Sequence, residues 1–326
     1  MADLGFVAIG RNEGNRLLRC LKSALLYGGP VVYVDSGSSD GSVKLAQDLG
    51  VEVVKLDLST PFTAARARNE GFKALHNTNG NLKFVQFLDG DCEVFPDWPA
   101  IGVKKLEEHP EIGVVAGRCR ERYPNNSIYN GLCDLEWDTP VGEAKATGGN
   151  SMMRVDVFLA VGGFDPGIIA AEDDEICLRI RRLGHQIWRL DADMVVHDAA
   201  MYHFSQWWKR TVRCGYAYAL GSAIHGQGPE KHFVQQKRRV LVWGFFLPLI
   251  VLLGLIPTHG WSLLLLLLYP LQVFRIYRQN LHRAKPGKAL AFGLGCVLSK
   301  FPEFIGLCRF WRDRLLGRPV RIIEHK

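Results

Sequence analysis

The sequence contains no Cys-x-x-Cys pair. Its eight cysteines, Cys20, Cys92, Cys119, Cys133, Cys177, Cys214, Cys296 and Cys308, are scattered, which excludes a zinc knuckle and a disulfide framework and leaves reduced, mostly buried thiols as the expectation. A signal peptide is also lacking. Met1-Ala2-Asp3-Leu4 has neither a basic start nor a long apolar region with a cleavage site, so the N-terminal part is expected to stay in the cytoplasm. Acids are scarce towards the C-terminus: residues 236–326 hold fifteen Lys/Arg against Glu303, Asp313 and Glu324, roughly +12, while the whole chain is +7. The first 235 residues therefore carry about −5, and nucleic-acid binding by that part has no electrostatic support.

The same C-terminal part lacks formal charge over a long stretch. Between Arg239 and Arg275 only His259 can carry one. Val240–Ile256 and Trp261–Phe274 are apolar runs joined by Pro257-Thr258-His259-Gly260, which reads as a turn. The first run is just long enough to span a bilayer and the second is short, so a spanning or a re-entrant hairpin is open. Lys237-Arg238-Arg239 before it and Arg275, Arg278 and Arg283 after it place both ends on the cytoplasmic side. Burying so much apolar chain would need an unusually large core, which favours membrane association. Residues 289–311 mix apolar side chains with Lys300 and Arg309, as an interfacial helix would. Two regions are expected: an α/β domain over 1–235, and a basic membrane-associated region over 236–326 with the apolar hairpin at 240–274.

The N-terminal part alternates strand and helix patterns. Gly5–Gly10 reads as a buried strand, followed by Asn12-Glu13 and a helix with Leu17, Leu18, Leu21, Leu25 and Leu26 on its apolar positions. Val31–Asp35 is a second strand. A third, Val51–Leu56, follows a helix closed by Gly50. This alternation predicts a parallel doubly wound sheet whose ligand crevice lies at the strands' carboxyl ends. Asn12, Asp35 and Asp89 all fall there. Asp40 reads as the N-cap of a helix over Ser42–Leu49, and Asn12 could cap the first helix. Asp35 ends a buried strand and is followed by small residues, leaving room for a flat ligand whose N–H or hydroxyl groups it could accept.

Phe84–Asp91, FVQFLDGD, is an apolar strand running into Asp89-Gly90-Asp91. Two carboxylates one residue apart are hard oxygen ligands for a divalent cation. The tripeptide also closes ordinary turns, where glycine supplies positive φ. Arg68, on a helix between the third strand and this motif, could clamp a phosphate or hold an acidic ligand residue. A second acidic focus, Glu172-Asp173-Asp174-Glu175, opens a helix with Ile176, Leu178, Ile180 and Leu183. The helix dipole favours acids there, and one of them at a pocket wall could act as a general base. Residues 193–197 read as a strand ending in His197, whose neutral imidazole could complete a Mn²⁺ or Mg²⁺ site.

The ordered set AIGRNEG, VDSGSSDGS, ARNEG, FLDGD, GGN, GGFD, EDDE and a later VVH closely resembles the family 2 glycosyltransferases with a GT-A fold, over roughly residues 5–218. The resemblance implies a Rossmann-like, mostly parallel sheet. By it, Asn12, Glu13, Asp35, Asp40 and Arg68 line the nucleotide pocket, and Asp89 faces ribose or metal. Asp91 and His197 would join Asp89 as metal ligands, Asp173 would be the catalytic base, and Gly149, Asn150, Glu172 and Trp207 would border sugar and acceptor. The implied reaction is inverting transfer from a nucleotide-diphosphate sugar, expected to be a UDP-sugar, to an acceptor hydroxyl, with Mn²⁺ or Mg²⁺. A lipid-linked glycan acceptor in surface-polysaccharide assembly, at the cytoplasmic face of the plasma membrane, is expected from the hairpin. A polyprenyl-phosphate acceptor is the alternative, and a non-catalytic nucleotide-sugar-binding scaffold is the alternative of a different class. Gln206-Trp207-Trp208-Lys209-Arg210 only echoes the Gln-x-x-Arg-Trp motif of processive synthases, and one hairpin is too little for a secretion channel, so single addition is expected. A glycine-rich, arginine-containing loop after the first strand, which a nucleotidyltransferase would need, is absent. The oligomeric state is left open.

Overall fold

The computed structural model of the chain describes residues 3–60 and 62–318. Strands and helices alternate from the start: β1 (Leu4–Gly10), α1 (Asn15–Leu25), β2 (Val31–Asp35), α2 (Ser42–Asp48), β3 (Glu52–Lys55), α3 (Ala64–Thr78) and β4 (Phe84–Asp89). Then follow β5 (Cys92–Val94), α4 (Trp98–Glu108), β6 (Ile112–Glu121), α5 (Ile128–Glu136), β7 (Gly142–Ala144), β8 (Ser151–Arg154), α6 (Val155–Ala160), α7 (Glu172–Arg182) and β9 (Gln186–His197). The strands form one sheet of order β3-β2-β1-β4-β8-β6-β9-β5, with β7 on β9.

The first half of the sheet is parallel, as expected from continuous apolar runs such as Val31–Asp35, every residue of which is buried. Beyond β4 it is mixed: β8 is antiparallel to β4 and β6, and β5 and β7 are antiparallel to β9, while β6 and β9 run parallel. Local alternation does not reveal this half, because its pairings join strands far apart in sequence. Two apolar layers cover the sheet. Leu17, Leu21, Trp98 and Leu106 lie in one, and Phe72, Leu75, Phe158 and Ile176 in the other. All eight cysteines are free thiols, four of them buried.

The chain divides into two compact units, Met1–Arg122 with Glu136–Ala199, and Tyr123–Leu135 with Ala200–Lys326. This division differs from the expected boundary at 235. Residues 200–235 join the second unit because α8 (Phe204–His225) packs lengthwise on its last helix, Lys300–Leu315.

In that unit α9 (Val234–Leu241) continues through a π-helical segment, Val242–Phe246, into α10 (Leu247–Gly254). A turn leads to a 3₁₀ segment, Trp261–Leu267, then α11 (Leu268–Asn280), α12 (Pro286–Leu298) and α13 (Lys300–Leu315). The two apolar runs thus form helical arms that pack on each other. The arms are joined by Ser262 Oγ donating to the Val251 carbonyl at 2.9 Å and Tyr269 Oη to the Trp243 carbonyl at 2.6 Å. Their apolar side chains face outward, Ile256 at 86% and Trp261 at 72% exposure. By length and composition, however, the one helix among the described residues suited to crossing a membrane is Pro286–Leu315. That segment was expected to lie along the interface; α12 and α13 run together and make it 30 residues long.

Gly71 on α3 fixes how closely that helix approaches the sheet. A Cβ there would overlap the side chains of Val7 and Val34. Gly71→Ala is expected to lower stability by about 1–3 kcal/mol through overpacking. Thermal unfolding measures the loss.

Candidate active site

The Asp-Gly-Asp turn joins β4 to β5. Gly90 does not adopt positive φ here, contrary to the turn expectation; small size is what its position requires. A Cβ on Gly90 would lie 3.1 Å from the Ile9 carbonyl, whose oxygen accepts the Gly90 N–H at 2.8 Å. The turn is thus pressed against the end of β1. Beyond it, β5 pairs antiparallel with the end of β9, Cys92 opposite His197, and this pairing delivers the histidine to the motif. His197 Nε2 lies 3.3 Å from Asp91 Oδ1.

Asp89, Asp91, Cys92 and His197 offer ligand atoms all within 4.8 Å of one another. Two carboxylates and an imidazole suit Mn²⁺ or Mg²⁺. Burial, with Asp91 adding to it, keeps the Cys92 thiol protonated and well above its ordinary range, so Cys92 is not part of a hard-ion donor set. The residues present therefore fit a divalent cation.

Arg68 is buried, 2% exposed. Its guanidinium bridges two carboxylates, Nη2 to Asp89 Oδ1 at 2.8 Å and Nη1 to Glu172 Oε1 at 2.5 Å. Burial would lower its pKa, but Asp89, Glu172 and Asp173 outweigh that and hold it charged. In this structure its polar contacts are with acids, Asp89 and Glu172. Gly149 clears its path, since a Cβ at 149 would collide with the guanidinium. Asn150, also buried, grips Asp89 twice: its amide oxygen accepts the Asp89 N–H at 2.9 Å, and its amide nitrogen donates to Asp89 Oδ2 at 3.1 Å.

Asp173 begins α7 beside Glu172. The preceding Ala171 has φ 58°, a left-handed residue that turns the chain sharply into the helix. Burial pushes the Asp173 carboxyl well above the usual range, with Glu172 and Asp174 adding to this and Arg68 opposing it. Burial and Glu172 also raise Asp174, to about 6. An Asp with a raised pKa is a stronger base once ionised, as general-base chemistry asks.

The residues assigned to the nucleotide side form a hydrogen-bonded shelf of loops. Asn12, at φ 57°, receives the Ser39 N–H on Oδ1 at 2.8 Å, and its own N–H donates to Ser38 Oγ at 2.9 Å. It ties the β1 and β2 loops together and does not cap α1, whose N-cap is Gly14. Asp35 accepts from Tyr33 Oη at 3.0 Å and from the Gly37 and Ser38 N–H groups at 2.9 Å each. Asp40 accepts from the Ser42 N–H at 3.0 Å and Ser42 Oγ at 2.6 Å. The N-cap of α2 is Gly41, one residue later than expected, because Asp40 reaches across to Ser42 instead. Glu13 pairs with Arg16 at 2.8 Å.

Trp207 departs from expectation. It lies on α8 in the second unit, 6% exposed, against Tyr129 and Phe204, so its ring is packing and is not an open platform for an acceptor. Two residues that sequence reasoning missed surround His197. Glu121 Oε2 lies 3.9 Å from Nδ1 and accepts the Ala199 N–H, and Trp137 meets the imidazole edge-on at 4.5 Å. Nothing local marked Glu121, whose place follows from the parallel pairing of β6 with β9.

Replacing Arg68 by Ala leaves two acids facing each other without their shared cation, and a loss of about 3–5 kcal/mol is expected. Arg68→Lys should restore little, since an ammonium lacks the fork that spans both carboxylates. Thermal unfolding of both variants provides the comparison.

Residues 7–160 match the model described as glycosyl transferase family 2, and residues 134–204 match one described as the N-terminal domain of galactosyltransferase. The succinoglycan biosynthesis protein ExoA of Rhizobium meliloti (strain 1021) is 24% identical over 253 residues, 71% of this chain and 73% of that protein. Among solved structures, the mannosyltransferase PcManGT from Pyrobaculum calidifontis, in complex with GDP-Man and Mn²⁺, aligns with TM-score 0.63 at 17% identity, over 96% of this chain and 88% of that one. Residues 1–349 of S. aureus TarS align with TM-score 0.51 at 14% identity, over 98% and 92%. Against longer TarS the alignment spans 43% of that chain. These likenesses show the fold, that of solved GT-A enzymes, and the match to glycosyl transferase family 2 covers residues 7–160, a little under half of the chain.

Proposed function

We propose that the protein transfers one sugar from a nucleotide-diphosphate sugar, a UDP-sugar, to an acceptor hydroxyl on a lipid-linked glycan, with inversion, at the cytoplasmic face of the plasma membrane. The product would feed a cell-surface polysaccharide, a reading supported by the similarity to ExoA. The observation that carries the proposal is the Arg68 bridge, which ties Asp89 of the ligand cluster to Glu172, the neighbour of Asp173.

Asp89, Asp91 and His197 would hold the cation, and Asn12, Glu13, Asp35 and Asp40 would border the nucleotide. When bound, Mn²⁺ or Mg²⁺ supplies charge neutralisation of the leaving diphosphate. Asp173 takes the acceptor's proton as its oxygen attacks the anomeric carbon from the face opposite the diphosphate. Gly149, Asn150 and Glu172 would border the sugar and keep Asp89 in place. Outward apolar side chains on the hairpin and the helix Pro286–Leu315 support membrane association.

Asp173→Asn should reduce kcat by about 10²–10⁴-fold while leaving donor affinity nearly intact; retained turnover would refute the base assignment. The acid limb of the wild-type profile should lie above the ordinary carboxylate range, because Asp173 must be ionised to act and its pKa is raised. Rate is therefore lost as pH falls through that raised value, and a limb in the range of a free aspartate would contradict the assignment. EDTA should abolish transfer and added Mn²⁺ restore it. His197→Ala should weaken Mn²⁺ binding by at least about tenfold, read by electron paramagnetic resonance without donor. Titration with UDP and GDP separately tests the choice of base.

A further inference from the structure

We propose that the groove between α11 and α12 binds one anionic phospholipid of the bilayer, its acyl chain along the groove and its phosphate at the basic mouth. This rests on the membrane association proposed above.

The groove has a volume of about 570 Å³, within the range of small-molecule sites. Pro270, Val273, Phe274 and Tyr277 form one wall, and Leu290 and Leu294 the other. These are apolar side chains left open, with Phe274 at 55% and Leu294 at 53% exposure. Exposed apolar area on this scale needs an apolar cover.

The mouth says which cover. No acid occurs between Glu230 and Glu303, while Arg275, Arg278 and Lys285 flank the α11–α12 connection; Arg283 turns instead to the Leu135 carbonyl and Lys288 to the side of Ile128 and Leu132. The Arg278 guanidinium lies over the ring of groove-lining Phe274, 5.9 Å from its centroid, which puts a cation directly at the apolar wall. Pro286 and Gly287, the first residues of α12, line the same end. The N-cap Lys285 makes no side-chain cap, so the positive end of the helix dipole adds to the basic mouth. A neutral chain would leave this charge unanswered, and a free phosphate would leave the groove empty. An anionic lipid satisfies both, since each basic residue near an anionic membrane surface contributes about 1 kcal/mol.

The test uses the full chain in phosphatidylcholine nanodiscs containing phosphatidylglycerol with a photoactivatable group in its acyl chain. Labelled peptides are mapped by mass spectrometry in the absence of nucleotide sugar. The expected result is label concentrated on residues 268–298, reduced by Leu290→Trp, which fills the groove. Arg278→Gln should lower the preference for phosphatidylglycerol over a phosphatidylcholine probe about fivefold, the equivalent of about 1 kcal/mol. Even labelling across the hairpin, equal labelling by the two probes, or no effect of both variants would overturn the proposal. So would displacement of the probe by polyprenyl phosphate at much lower concentration, which would make the groove an acceptor site. Flotation with phosphatidylcholine vesicles separates the two levels: a chain that floats but shows no lipid site refutes only this inference, whereas one that does not float refutes the membrane reading beneath it.

Discussion

A single buried cation holds the site together. Arg68 comes from α3, Asp89 from the end of β4 and Glu172 from the start of α7, three elements that converge only because they surround the carboxyl ends of the parallel strands. Without Arg68, the two carboxylates would face each other with no shared counter-ion. With it, both are held in place, close to Asp91 and Asp173 in the chain. The other packing choices serve this contact: Gly71 sets the height of α3, Gly149 leaves room for the guanidinium, and Asn150 prevents Asp89 from turning away.

The electrostatics of the site are divided by environment. Asp89 is one-third exposed and bonded to a cation, whereas Asp91 is buried against His197. Asp173 is desolvated among acids and pushed towards the protonated form. Three aspartates with similar intrinsic acidity are thereby placed in different surroundings, as the proposed reading of one cation site beside one base requires.

Much of this was legible in the sequence where it depended on local pattern. Buried apolar runs marked β1, β2 and β4, the acidic helix start marked α7, and Asp89-Gly90-Asp91 marked the cluster. What local pattern could not carry was pairing between distant strands. The antiparallel joining of β5 to β9 sets His197 against Asp91, and the parallel joining of β6 to β9 sets Glu121 behind the ring. Neither register leaves a trace in the short segments concerned. The misplacement of Trp207 has the same origin, since an aromatic on a helix looks alike whether it faces a ligand or, as here, Tyr129 and Phe204. In the C-terminal part, apolarity was plain, but which run forms the longest helix depends on α12 and α13 continuing into each other.

The loops carrying Asn12, Asp35 and Asp40 are organised by their own hydrogen bonds to serines and backbone amides, whereas the cluster around Asp91 is anchored in strand pairing and the core. The two halves of the pocket are therefore held by different kinds of contact and meet at the end of β1. On the proposed reading, exchange of the shelf's serines would change which nucleotide is read while the strand-anchored cluster keeps its geometry.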